Sequence, residues 1–185
     1  MKNPLLGYCI NRDIKQRLSN KRNSLYRLAY SWCHQHDIAD DIVQDAMAKA
    51  LKNIKQLRDH EALDSWLYGI LNNCWRDYLR SKRDIENIDD IVLINHETPE
   101  IAFERQDLSN IIQIQMEQLS VGQRQVLSLV DLQGCSYEEV ARILDIPVGT
   151  VMSRLSRARK NLADALLEYQ PVRTEKSRNV LRRIV

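Results

Sequence analysis

The chain predicts an all-α protein with two small helical domains joined by a flexible acidic linker, the C-terminal one containing a helix-turn-helix. Three observations predict it. Apolar residues recur at steps of three and four through long stretches, which marks one buried face per helix. Gly 5, Pro 4 and Phe 1 in 185 residues supply too few turn formers and aromatics for an all-β fold. Capping boxes, Ser120 with Gln123 and Ser136 with Glu139, stand ahead of apolar runs, where each side chain can satisfy an orphan backbone N–H. Hydrophobic residues are 44% of the chain, enough for packed cores.

In order along the chain, residues 12–35 form a first helix or helix pair, with Leu25, Leu28, Ala29 and Trp32 inward. Asp37 to Leu57 is a second helix that buries Ile38, Ile42, Ala46, Leu51 and Ile54 and turns Asp40, Asp41, Gln44 and Asp45 outward. The polar stretch Gln56 to Ala62 separates it from a third helix over 63–82, packed through Leu63, Leu67, Ile70, Leu71 and Cys74. Residues 84–107 then carry eight acids against Arg105 alone, include Pro99 and lack sustained amphipathicity. They read as the linker. A second helical unit begins near Leu108; its next helix starts at the Ser120 cap and stops at Gly134. The domain limits are therefore 1–83, 84–111 and 112–169, followed by a basic tail, 170–185.

Residues 136–162, SYEEVARILDIPVGTVMSRLSRARKNL, carry the clearest chemistry. Val140, Ile143 and Leu144 make an apolar stripe that Asp145, Ile146 and Pro147 interrupt, because proline lacks an N–H but fits a helix's first turn. In the second helix Val151, Leu155, Ala158 and Leu162 share one face, while Ser153, Arg154, Arg157 and Lys160 project elsewhere. One side buried and the other offering hydroxyls and cations suits a nucleic-acid groove. A helical hairpin with a solvated basic face is the plainer alternative, but no acid stands among Arg154, Arg157, Arg159 and Lys160.

Composition excludes other classes. The net charge is +2, but it is segregated: the acidic linker contrasts with a tail holding Arg173, Lys176, Arg178, Arg182 and Arg183. No apolar run approaches the ~18 residues of a membrane span, so no membrane insertion is expected. The N-terminal apolar stretch is too short for a signal peptide, and a cytoplasmic location follows. Cys9, Cys33, Cys74 and Cys135 contain no CxxC pair, and Cys33, His34 and His36 find no second ligand cluster. No metal and no cofactor are expected. A hydrolytic or redox enzyme lacks a Gly-rich phosphate loop and a nucleophile motif here.

The third helix mixes rings with bases: Trp66, Tyr68, Trp75 and Tyr78, then Arg76, Arg80, Lys82 and Arg83. Asn73, Arg76, Arg80 and Arg83 form one stripe. Cations track phosphates and flat rings stack on exposed bases, so this face suits partly unpaired DNA. Trp75 fits either a core or a stacking role; Trp66 fits the core more readily. The carboxylates of Asp40, Asp41 and Asp45 would repel DNA, and suit either solvent or a basic protein partner.

Two stretches, LYRLAYSW…DIADDIVQDAMAKALKNI…SWLYGILNNCWRDYLRSKR and LSVGQRQVLSLVDLQGCSYEEVARILDIPVGTVMSRLSRARKNL, resemble the sigma-70 family of bacterial transcription initiation factors, in its small extracytoplasmic-function group. The likeness covers roughly residues 20–83 and 112–165, with both halves in the family's order. It implies a promoter-specificity subunit without a catalytic site, whose partners are core RNA polymerase, promoter DNA and an anti-sigma factor, common in this group. By that resemblance Asp40, Asp41, Gln44 and Asp45 dock on the polymerase clamp helices. The loop Arg58 to Ser65 and the helix through Trp66, Asn72, Asn73, Trp75, Arg76, Arg80, Lys82 and Arg83 read and melt the element near the start site. Ser136, Thr150, Ser153, Arg154, Arg157 and Lys160 read the upstream element. The alternative is a stand-alone helix-turn-helix regulator, which would dimerise on a palindrome; nothing in the sequence resembles a dimerisation coiled coil.

Overall fold

The structure, a computed structural model, describes residues 4–57, 59, 61–85 and 106–168. All regular elements among them are helical: α1 (Pro4–Cys33), α2 (His36–Asn53) with a 3-10 turn at Ile54–Gln56, α3 (Leu63–Ile85), α4 (Gln106–Gln118), α5 (Val121–Leu127) running into a π-helical turn at Ser128–Leu132, α6 (Tyr137–Leu144) and α7 (Val148–Glu168). The first helix is single and continuous. Most of the acidic stretch, 86–105, and the tail from 169 lie outside the described residues, while Asp84 and Ile85 extend α3 and residues 106–111 open α4.

The N-terminal half is a three-helix unit in which α2 packs on both α1 and α3. Leu25, Leu28 and Trp32 of α1, Val43 and Ala46 of α2, and Leu67, Leu71 and Trp75 of α3 are fully buried. Each such aliphatic side chain stabilises the fold by about 1.5–3 kcal/mol relative to exposure. Leu51 departs from expectation: it is 45% exposed, and Ala50 takes the inward place. The buried stripe advances by fours from Ile42 through Ala46 to Ala50, and the next residue lies a third of a turn off it. The α1–α2 corner is made by His34 at φ 52°, whose N–H donates to the Tyr30 carbonyl at 2.8 Å.

The C-terminal half packs α4, α5 and α6 on α7, around Val126, Leu129, Val140, Val151, Leu155 and Ala158. Its α5 ends as the sequence requires. Gly134 adopts φ 71°, the left-handed region where a Cβ is strained, and its N–H donates to the Val130 carbonyl at 3.1 Å.

The two halves are not held apart. α3 packs on α6, and α1 packs on α5 and its π-helical turn, so both halves share one continuous core. Polar bonds stitch this contact. The Trp32 indole N–H donates to Ser128 Oγ at 2.7 Å, with both residues at 0% exposure. Gln125 Nε2 donates to Asn72 Oδ1 at 2.9 Å, and Asn72 Nδ2 donates to the Ile143 carbonyl at 3.0 Å. Gln133 Oε1 accepts from Tyr68 OH at 2.8 Å and from Ser24 Oγ at 3.2 Å.

Candidate nucleic-acid interface

The helix-turn-helix is built as its sequence predicts. Ser136 Oγ accepts from the Glu139 N–H at 3.2 Å, and Glu139 Oε2 accepts from the Ser136 N–H at 2.8 Å, closing the capping box of α6. Asp145 ends that helix in the left-handed region at φ 56°. Pro147 sits just ahead of α7, its carbonyl accepting from Thr150 N–H at 2.9 Å. Val151, Leu155 and Ala158 turn inward, which leaves Ser153, Arg157 and Lys160 exposed.

Two basic residues of α7 are engaged within the protein. The half-buried Arg154 lays its guanidinium over Gly122 of α5, so close that a Cβ there would stand 2.9 Å from Nη1. Arg159 forms a bidentate pair with Asp131, through Nε to Oδ2 at 3.2 Å and Nη2 to Oδ1. Met152 and Ser156 are exposed beside Ser153 and Arg157, a pair that the hydroxyl-and-cation pattern passed over.

On α3, Asn73, Arg76 and Arg80 are exposed. Arg80 lies 3.7 Å from Asp77, which also holds Lys49 of α2 at 3.2 Å. Lys82 Nζ stands 5.6 Å from the centre of the Tyr78 ring. The side chains of Arg58, His60 and Arg83 lie outside the described residues. Half-buried Trp66 and exposed Asn73 line a cleft of about 460 Å³ whose other wall is Glu139, Arg142 and Ile143 of α6.

Two residues expected at DNA are placed otherwise. Trp75 is a core side chain, 1% exposed and stacked on Tyr78 at 5.6 Å between ring centres. A ring with no free face cannot stack on a base, so that assignment is corrected. Asn72 is 2% exposed and both of its amide atoms are bonded to the C-terminal half.

The acidic face of α2 is open at Asp41, Gln44 and Asp45, whereas Asp40 is half-buried and pairs with Arg22 of α1 at 2.9 Å. Where α1 meets α5 lies a group of titratable residues, of which the sequence singled out Cys33 and His34, as metal ligands only, and gave no sign of Arg124 or Glu117. Buried His34 is pushed down to about 4 by burial and by the charge of Arg124, and its Nδ1 lies 3.7 Å from Glu117 of α4. Arg124 is 4% exposed, and burial lowers its own pKa. Burial pushes the Cys33 thiol up, which keeps it protonated. Among the described residues no group of three acids, histidines or cysteines could hold a metal. No helix among them is long and apolar enough to cross a membrane.

Comparison with known proteins places both halves of the chain in one family. Residues 19–85 match the model of sigma-70 region 2, and residues 109–162 match that of sigma-70 region 4. The sigma factor EcfG of Rhodopseudomonas palustris is 34% identical over 77% of this chain and 79% of its own length. The sigma-E factor of Haemophilus influenzae is 31% identical over 80% of this chain and 85% of its own. Among solved structures, the sigma factor RpoE of Bartonella quintana, in complex with the anti-sigma factor NepR, superposes with a TM-score of 0.66 at 30% identity, covering 86% of this chain and 99% of that one. CnrH, in complex with the cytosolic domain of CnrY, gives 0.60 at 25% identity, over 86% and 90% of the two chains. With both regions matched in order, the chain belongs to the sigma-70 family, in its extracytoplasmic-function group: a transcription initiation factor, not an enzyme, that binds core RNA polymerase and promoter DNA.

Proposed function

We propose that the chain divides promoter work between two helices. Residues 1–83 dock on core polymerase through Asp40, Asp41, Gln44 and Asp45. They read and open the element near the start site with Trp66, Asn72, Asn73, Arg76, Arg80, Lys82 and Arg83. Residues 112–169 hold the upstream element through Ser136, Thr150, Ser153, Arg157 and Lys160, with Arg154 orienting α7 from behind. Residues 84–111 join the two, and the work takes place in the cytoplasm. The exposed cations on α3 and α7, set apart from an exposed acidic face on α2, carry this reading. Phosphates are drawn to the first two surfaces and repelled from the third.

Asn72 adds a condition. Its amide is bonded to Gln125 and to the Ile143 carbonyl, so DNA reaches it only after α5 and α6 leave α3. The closed packing is then the resting form, and polymerase engagement opens it. An anti-sigma factor is a natural partner for such a chain, given its likeness to RpoE, which is bound to one in its structure.

Run-off transcription with core polymerase tests the division. Removing a charged DNA contact costs about 1.5–3 kcal/mol, or tenfold and more. Arg76→Ala should reduce strand opening by that factor while closed-complex affinity holds. Arg157→Ala should reduce closed-complex affinity and lower the salt slope by about one. Identical defects from both substitutions would overturn the division.

A further inference from the structure

Once Arg154 is set on Gly122 and Arg159 on Asp131, the outward row of α7 is Met152, Ser153, Ser156, Arg157 and Lys160. These positions fall at i, i+1, i+4, i+5 and i+8, a single stripe opposite Val151 and Leu155. Cations and hydroxyls are expected there. Met152 is not: it is 53% exposed, at the N-terminal end of the face offered to DNA. Its side chain donates no hydrogen bond and carries only a weak acceptor sulfur. It therefore gains little from the donors and acceptors of base edges or from phosphate. In the major groove one base edge rewards an apolar side chain, the thymine C5-methyl group. Methionine, unbranched and polarizable, can follow that methyl without a fixed rotamer.

We propose that Met152 is a specificity-determining residue that packs on the C5-methyl of a thymine in the upstream element, beside the contacts of Ser153 and Arg157. This rests on the reading of α7 as the upstream-element helix. The ligand chemistry is duplex DNA carrying a thymine at one defined step, and the discrimination is against cytosine and uracil, which lack the methyl.

The test uses holoenzyme assembled from core polymerase and the full chain, on a promoter that this holoenzyme selects from a random duplex library. Each thymine of the upstream element is exchanged in turn for deoxyuridine, which keeps every hydrogen-bonding group and removes only the methyl. Losing one buried methyl should weaken binding about fourfold at one position. Met152→Ala should lose a similar factor on the thymine promoter and nothing more on the uracil one. Met152→Leu should keep the sensitivity. The melting temperature of each variant should match the wild type, because the side chain is outside the core. Indifference of the wild type to every exchange would overturn the proposal, as would a Met152→Ala protein that is weaker yet still methyl-sensitive. If scrambling the whole upstream element changes nothing, the reading of α7 fails as well. Scramble sensitivity without methyl sensitivity overturns the role of Met152 alone.

Discussion

The two helices proposed to face DNA differ in what covers them. The outward row of α7 is open along its length, from Met152 to Lys160. The face of α3 meets α6 across a cleft, and its Asn72 is sealed by Gln125 and the Ile143 carbonyl. One basic face is open in the free protein, and the other is partly covered by the helices of the opposite half. The cover is polar as well as apolar. Buried hydrogen bonds are easily exchanged for water when a surface opens, whereas a seam of leucines would hold it shut. A contact of this kind is specific when closed and inexpensive to leave.

The largest way to break the comparison is Trp32→Ala, which removes a fully buried indole and its hydrogen bond to Ser128 across the seam. Deleting a buried aromatic costs about 3–5 kcal/mol. Denaturant unfolding should show both halves destabilised together; loss confined to α1–α3 would mean that the seam does not couple them.

Acid provides the next largest effect. His34 is held near 4, below the ordinary imidazole value of 6.5, by burial first and by Arg124 second. The folded protein thus favours neutral imidazole. Stability is intact above about pH 6.5 and declines as pH falls toward 4, by up to about 3 kcal/mol. Glu117 on α4 faces the ring and offsets part of this once the imidazole is charged. His34→Asn tolerates the left-handed backbone at φ 52° and cannot titrate there, so its acid profile should be flatter. An unchanged profile would exclude His34 as the cause.

The smallest change sharpens the comparison most. Gln125→Ala leaves Asn72 Oδ1 unpaired in the seam, a loss of about 1–3 kcal/mol. Free protein should then bind single-stranded DNA of the start-site element more tightly, while duplex upstream DNA is bound as before. Equal gains on both DNAs would show that α3 is not specifically gated.

Much of this molecule was legible in its sequence because it is local. Ser136 with Glu139 announced α6, Gly134 announced the end of the helix before it, and the apolar stripe of α7 announced which side would be buried. The acidic face of α2 and the basic stripe of α3 were equally plain. The seam was not. A stripe that packs within its own domain looks the same as one that packs on a neighbour, so Asn72 and Trp75 carried no mark of their burial. Gln125 and Ser128 look like surface residues because their partners, Asn72 and Trp32, stand 53 and 96 residues away. Arg154 is a related case: its sequence shows a cation, and only the structure shows that its guanidinium lies over Gly122.

That glycine has a practical consequence. Arg154 lies over Gly122, on the side of α7 that faces α5 and away from the exposed row. The stripe from Met152 to Lys160 can then be exchanged as a cassette without disturbing the fold beneath it. On the proposed reading of α7, re-addressing this factor to a different promoter is a matter of rewriting a few exposed side chains.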